Sequence, residues 1–132
     1  MGSIPLEEMV TLFWTHDVLL YPSAGEGFGF IPLQALATGM PTICTEAWAP
    51  YQQFLGPLAL DSTPGPSRWD TEHPGTVFWP DEDQLRRHIE TCYNEFPAMS
   101  DYYYAQAEAV REHYDWDRLT GQAIRKIEAS LP

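Results

Sequence analysis

Ser23-Ala24-Gly25-Glu26-Gly27-Phe28-Gly29-Phe30-Ile31-Pro32-Leu33-Gln34-Ala35-Leu36-Ala37-Thr38-Gly39-Met40-Pro41-Thr42-Ile43 joins a strand end, a glycine-rich loop and a helix start. That junction is where an α/β protein binds an anion. Immediately upstream, Val18-Leu19-Leu20-Tyr21 is a short apolar run stopped by Pro22, and it reads as a buried strand. Gly39 closes the helix, Pro41 resets the chain, and Thr42-Ile43-Cys44-Thr45 supplies a second β-prone run. Together these segments predict one strand-helix-strand unit.

A helix that begins near Gly29 or Phe30 leaves its first amides without carbonyl partners. Its macrodipole adds partial positive charge there, so a phosphate oxygen suits the position. Gly27 and Gly29 carry no Cβ and let the backbone approach a ligand closely. Pro32 falls in the first turn, where a missing amide costs no intrahelical bond. Glu26 precedes the loop and can accept from hydroxyls or amides, while Gln34 in the helix offers both a donor and an acceptor. A Gly-x-Gly beside a helix start is also what a plain structural turn presents, so spacing alone leaves both readings standing.

The longer string from Glu26 to Ile43 resembles the donor-binding segment of GT-B glycosyltransferases, the retaining family 4 enzymes in particular. Those have a Glu-Gly-Phe-Gly start, a second acid after seven intervening residues, and then Ala-x-Gly-x-Pro-Val-Ile. Pro5 to Asp17 looks like the helix that precedes the motif, and Val110-Arg111-Glu112-His113-Tyr114-Asp115-Trp116 resembles the family's closing helix signature. The resemblance implies a Rossmann-like three-layer α/β sandwich with a short parallel sheet followed by C-terminal helices, residues 1–132 forming a single domain within a GT-B donor-binding domain.

In function, the resemblance implies transfer of a hexose from a nucleotide diphosphate sugar to an acceptor. Glu26 would be the catalytic residue facing the donor sugar. The backbone around Gly27, Phe28, Gly29 and Phe30 would stabilise the leaving diphosphate, and Gln34 would touch the ribose. Neither a metal nor a cofactor is implied, the nucleotide sugar being the substrate.

Departures from the family pattern carry expectations of their own. Gln34 stands where the second acid belongs, and an amide holds a diol less strongly than a carboxylate does. Ala47-Trp48 replaces the paired glycines expected after the second strand, and Gln53 stands in place of a Glu, so the Trp48 loop is expected to narrow the donor pocket or cover it. Donor domains of this kind also begin with further strand and helix units whose Arg and Lys offset the pyrophosphate, and they work beside an N-terminal acceptor domain. Those parts are expected from a missing N-terminal portion or another chain, leaving the isolated chain inactive. The competing expectation is a non-catalytic glycosyltransferase-like module, in which the loop survives as packing and the acidic surface or Trp48 loop meets a partner protein.

Composition limits the possibilities further. With 132 residues, 44% of them apolar and 14% aromatic, the chain can bury one substantial core. Its net charge of -12, from 19 acids against 7 basic residues, argues against nucleic acid or an anionic membrane surface as partner. No apolar run reaches the length of a membrane span or a secretory leader, and a cytoplasmic setting is expected. Cys44 and Cys92 show no metal spacing and read as buried free thiols. His73, His88 and His113 are too scattered to form a zinc pair. Ser23 is not centred between glycines as a nucleophile elbow requires, and neither a Walker lysine nor a third dinucleotide glycine is present.

Downstream, Tyr51 to Leu55 predicts a short helix and Leu58 to Leu60 a short strand. Asp61 to Gly75, rich in proline and glycine, reads as a long loop in which Arg68, Trp69 and Asp70 could meet a ligand base. Thr76 to Trp79 predicts a strand. Three helices follow: Glu82 to Asn94 capped by Asp81, Asp101 to Tyr114 capped by Ser100, and Trp116 to Ser130 capped by Asp115. The second helix is expected to bury Tyr104, Ala107, Val110 and Tyr114, and the third to align Leu119, Ala123, Ile127 and Leu131.

Overall fold

Thr42, Ile43, Cys44 and Thr45 are all buried, so the strand they form must be covered on both faces, as a central parallel strand is. The computed structural model, which describes residues 5–69, 71 and 74–131, provides that cover. Helix α1 (Leu6–Trp14) leads into strand β1 (Leu19–Tyr21), helix α2 (Phe30–Thr38) and strand β2 (Thr42–Thr45). Two single 3₁₀ turns, Gln52–Phe54 and Gly56–Leu58, then deliver strand β3 (Ala59–Leu60). The three strands form a parallel sheet in the order β1-β2-β3, with Leu19 opposite Thr42 and Cys44 opposite Ala59.

Alternation along β1 assigns the layers. Leu19 packs with Phe13 of α1, Ala35 of α2 and Met40, while Leu20 turns to the other face toward Ile89 and Cys92. Those two residues belong to helix α3 (Glu82–Asn94), so helices lie on both faces of the sheet. Helix α4 (Phe96–His113) crosses back to α2 and joins Leu33, Leu36, Tyr103 and Val110 in the main core with Ile43, Leu55, Leu58 and Leu60. Each fully buried Leu or Ile there contributes about 1.5–3 kcal/mol. The result is the expected three-layer α/β architecture. Among the described residues no helix is long and apolar enough to cross a membrane.

The first part of the segment read as a long loop forms a strand instead. Strand β4 (Ser62–Pro66) pairs antiparallel with strand β5 (Thr76–Pro80), with Pro64 opposite Phe78 and Gly65 opposite Val77. Phe78 donates its amide away from β4, to the Ala24 carbonyl at 2.7 Å, whereas Ser67 donates to Gly75 across the hairpin. In an antiparallel ladder such bonds alternate. Pro64 and Pro66 therefore fall at positions that need no donor, and Thr63 and Gly65 carry the ladder. Of the residues singled out here, Arg68 stacks over Trp79 at 4.5 Å and Trp69 is exposed, while Asp70 and His73 lie outside the described residues.

Two helix expectations also change. Helix α4 begins at Phe96, with Pro97 in its first turn, rather than at Asp101. Its buried stripe is Tyr103, Ala107 and Val110, with Tyr104 76% exposed, because the i, i+4, i+7 frame starts one residue earlier than expected. Helix α5 (Trp116–Ser130) keeps its predicted bounds but buries no residue, so its apolar line leaves Ile127 and Leu131 in solvent. Asp81 and Asp115 cap as expected, accepting from the amides of Gln84 at 2.8 Å and Arg118 at 2.6 Å. Cys44 and Cys92 are buried and free.

Candidate functional site

Strand β1 delivers the chain to Glu26 through Pro22, and the local hydroxyls then fix the carboxylate. Glu26 Oε1 accepts from Tyr21 Oη and from Ser23 Oγ, each at 2.9 Å, while the residue itself stays exposed. Two neutral donors on one oxygen give the carboxylate a defined direction. Burial first, then the hydrogen bond to Glu26 and that group's charge, push the Tyr21 hydroxyl up to about 12. Tyr21 therefore remains a proton donor throughout the neutral range.

Helix α2 starts four residues later. Its N-cap is Gly29 in the left-handed region, at φ 74°, and no side chain caps the first turn. The amides of Phe30 and Ile31 precede any intrahelical acceptor, Pro32 has no amide hydrogen to offer, and the first turn holds no acid. At the other end Arg111 Nη1 donates to the Ala37 carbonyl at 2.7 Å, a cation on the negative end of the helix. The charge pattern leaves the N-terminal end of α2 open to an anion.

The two loop glycines differ in purpose. A Cβ on Gly27 would meet nothing within 4 Å, so that backbone faces open space and a ligand can approach it. A Cβ on Gly29 would lie 2.6 Å from Trp48 Cζ3 and 2.6 Å from Tyr51 Oη. Gly29 is buried, and the packing of Trp48 and Tyr51 against it already requires glycine there.

Trp48 and Tyr51 are the residues that sequence reasoning only half found. Trp48 Nε1 donates to the Ser23 carbonyl at 2.8 Å, and Tyr51 Oη donates to the Gly29 carbonyl at 2.6 Å, so the pair ties both ends of the loop from behind. The rings continue as a chain, Tyr21 to Trp48 at 6.2 Å, Trp48 to Tyr51 at 6.4 Å and Tyr51 to Phe28 at 6.0 Å. Phe28 is half-buried in this cluster and Phe30 is 55% exposed beside it, their centroids 4.8 Å apart. Burial pushes the Tyr51 hydroxyl far above the ordinary phenol range.

Gln34, one turn into α2, is half-buried and lines a groove of about 700 Å³ with Phe28, Phe30, Tyr114 and Trp116. Glu26, Gly27, Phe28 and Phe30 thus follow one another at the surface of a single loop, with buried Gly29 between the last two and Gln34 on the next turn of the helix that the loop starts. The tyrosine run at Tyr102 to Tyr104 is elsewhere. Tyr103 is buried and donates to the Leu55 carbonyl, and Tyr102 packs on Gly56. Among the described residues no group of three or more His, Cys, Asp or Glu is placed to hold a metal ion.

Comparison with known proteins addresses the same region. Residues 5–122 match the family described as Family 4 Glycosyltransferase in conflict systems. The chain is 29% identical over 131 residues to a D-inositol 3-phosphate glycosyltransferase of Corynebacterium urealyticum, an alignment covering 97% of this chain and 26% of that protein. The chain therefore spans about a quarter of the length of that relative. No solved structure matches it. Since the family match runs unbroken from α1 through the Glu26 loop, the parallel sheet and the hairpin into α5, the chain belongs to the family 4 glycosyltransferases of conflict systems.

Proposed function

We propose that this chain is the nucleotide-sugar donor-binding part of a glycosyltransferase that moves a hexose from a nucleotide diphosphate sugar to an acceptor. The observation that carries the reading is the pairing of an exposed, oriented Glu26 carboxylate with an uncapped α2 N-terminus four residues on. Breaking the bond between the anomeric carbon and the diphosphate leaves negative charge on the leaving oxygens. The first amides of α2 and its dipole stabilise that charge without a metal ion. Glu26 faces the sugar, and Gln34 donates to or accepts from a ribose hydroxyl.

A net charge of -12 opposes a diphosphate at long range, but salt screens that field beyond roughly 8 Å while the amide contacts act locally. In this reading the 132 residues form one domain, part of a GT-B donor-binding domain. The acceptor site and the cationic residues that complete the pyrophosphate site come from a further segment or another chain. The free thiols of Cys44 and Cys92 fit a reducing, cytoplasmic setting.

One observation favours a second reading. Trp48 and Tyr51 give Gly29 a packing role that needs no ligand, as a non-catalytic interaction module would require. Calorimetry with UDP-glucose, GDP-mannose, UDP, GDP and inorganic pyrophosphate separates the two. The donor reading expects Glu26→Ala to weaken a nucleotide sugar about tenfold or more while leaving the free diphosphate unchanged, the size of a lost hydrogen bond to a charged group. Absence of heat with every one of these ligands would leave only the interaction module.

A further inference from the structure

The loop that carries Glu26 is exposed, yet its backbone is held at three carbonyls. Trp48 Nε1 donates to that of Ser23 at 2.8 Å, the Phe78 amide to that of Ala24 at 2.7 Å, and Tyr51 Oη to that of Gly29 at 2.6 Å. The Glu26 side chain is fixed as well. Its Oε1 accepts from Tyr21 Oη and Ser23 Oγ, which fills the two lone pairs of that oxygen, whereas Oε2 accepts from no group among the described residues. The single Ser23 hydroxyl proton has a second acceptor in the Gly25 carbonyl at 3.1 Å, but the carboxylate is nearer, at 2.9 Å, and charged. Trp48 supports both donors. Its indole bonds the Ser23 backbone and packs edge-on against the Tyr21 ring at 6.2 Å. The expectation that Trp48 covers the pocket gives way to a tryptophan that braces the carboxylate from behind, at a place where the resemblance leads one to expect glycine.

We infer that Tyr21, Ser23 and Trp48 are positioning residues that saturate Oε1 of Glu26, so that the carboxylate takes a sugar hydroxyl through Oε2 alone. The inference rests on the proposed function for the nature of the ligand, while the clamp rests on the hydrogen bonds themselves. A carboxylate with both oxygens free grips a vicinal diol, one hydroxyl on each oxygen, and so tolerates any sugar with adjacent hydroxyls. With Oε1 filled, one oxygen in one direction remains. An exposed glutamate that rotates freely averages such a direction away, and ordering it before the ligand arrives reduces the entropy lost on binding. Trp48 acts at one remove. Without its indole N–H the Ser23 carbonyl is released, and without its ring Tyr21 loses a packing neighbour, so both donors drift from Oε1.

The test compares UDP-glucose and GDP-mannose with UDP and GDP by calorimetry, on the chain and on its Tyr21→Phe, Ser23→Ala, Ser23→Thr and Trp48→Phe variants, with a thermal melt confirming that each folds. The readout is the gain in affinity of a nucleotide sugar over its own nucleoside diphosphate. Tyr21→Phe and Ser23→Ala should each reduce that gain by about threefold to tenfold, the scale of one hydrogen bond, with the free diphosphates unchanged. Trp48→Phe should act in the same direction, and Ser23→Thr, which keeps the hydroxyl, should retain the gain. In a Glu26→Ala background none of these changes should alter it further. A second readout needs no ligand. Burial first, then the bond to Glu26 and its charge, push the Tyr21 hydroxyl up to about 12, so Glu26→Gln should lower the titration of the Tyr21 ring followed by NMR. An undiminished gain in Tyr21→Phe and Ser23→Ala, an equal loss in the Glu26→Ala background, or a Tyr21 titration indifferent to Glu26→Gln overturns the clamp and leaves the proposed function standing. Nucleotide sugars that bind no better than the diphosphates, or not at all, overturn the assignment of Glu26 to the sugar, and this inference with it.

Discussion

Replacing Gly29 by alanine tests whether the loop geometry is imposed from behind by Trp48 and Tyr51. Two costs add. An L residue held at φ 74° loses about 1–2 kcal/mol relative to glycine. The new Cβ also meets Trp48 Cζ3 and Tyr51 Oη at 2.6 Å and Trp48 Cη2 at 2.8 Å, too close for any Cβ. Both neighbours are hydrogen-bonded to the loop backbone, so neither yields freely, and overpacking of this kind costs about 1–3 kcal/mol. The sum is about 2–5 kcal/mol, a large part of a typical stability of about 5–15 kcal/mol. For a domain of this size it corresponds to a melting temperature lower by roughly 8–20 °C. Urea unfolding followed by circular dichroism measures the difference, and a double-mutant cycle with Trp48→Ala divides it. Removing the indole lifts two of the three close contacts, so Gly29→Ala should cost about 1–2 kcal/mol less in that background. A Gly29→Ala protein within about 1 kcal/mol of the parent, or a cycle with no coupling, would refute the account.

Two further outcomes follow from the buried titratable groups. Tyr21 is pushed up to about 12, and burial also raises Tyr51, Tyr103 and Tyr114. A phenol whose folded pKa exceeds its unfolded value of about 10 stabilises the fold fully below that pH. Its contribution is lost as pH rises through the folded value, so stability should fall from about pH 10 upward; tyrosinate absorbance that completes its rise before the circular dichroism changes would contradict this. Burial first, then the charge of Glu26, raises Cys44 to about 12, and burial raises Cys92. Both thiols should resist alkylation in the native chain at mildly alkaline pH and react fully in urea, and rapid native labelling of Cys44 would place it outside the core.

The strand-helix-strand unit was legible because its punctuation is backbone chemistry. Gly39 closes α2 in the left-handed conformation, and Pro22 and Pro41 mark strand ends, so β2 and α2 fall where the local rules put them. The caps at Asp81 and Asp115 were legible for the same reason. The hairpin was not, since proline and glycine in Ser62 to Pro66 read as breakers. Only the structure shows that Pro64 and Pro66 occupy the donor-free side of an edge strand whose neighbour bonds to Ala24. The site was half legible. Glu26 and Gln34 carry a spacing that sequence displays, whereas Tyr21, Ser23 and Tyr51 act through contacts that spacing hides, Tyr51 across 22 residues. The frame of α4 was missed because consecutive tyrosines leave the apolar stripe ambiguous, and only the fit of Tyr103 against Leu55 selects one.

Strand β1 has β2 on one side only among the described residues, and Leu19 spends its amide on Pro41 there, which turns the Leu20 amide and carbonyl outward. Leu20, Ile89 and Tyr93 surround that bare edge and are all exposed. Such an edge invites strand pairing between molecules, and β1 carries no lysine or proline to discourage it. Colloidal behaviour is then governed by something remote from the sheet. The excess of 19 acids over 7 basic residues makes every copy repel every other, with a reach set by the Debye length. Wherever the β1 edge is left uncovered, the acidity that opposes a diphosphate at long range also opposes pairing between copies, most strongly in dilute buffer and least in concentrated salt.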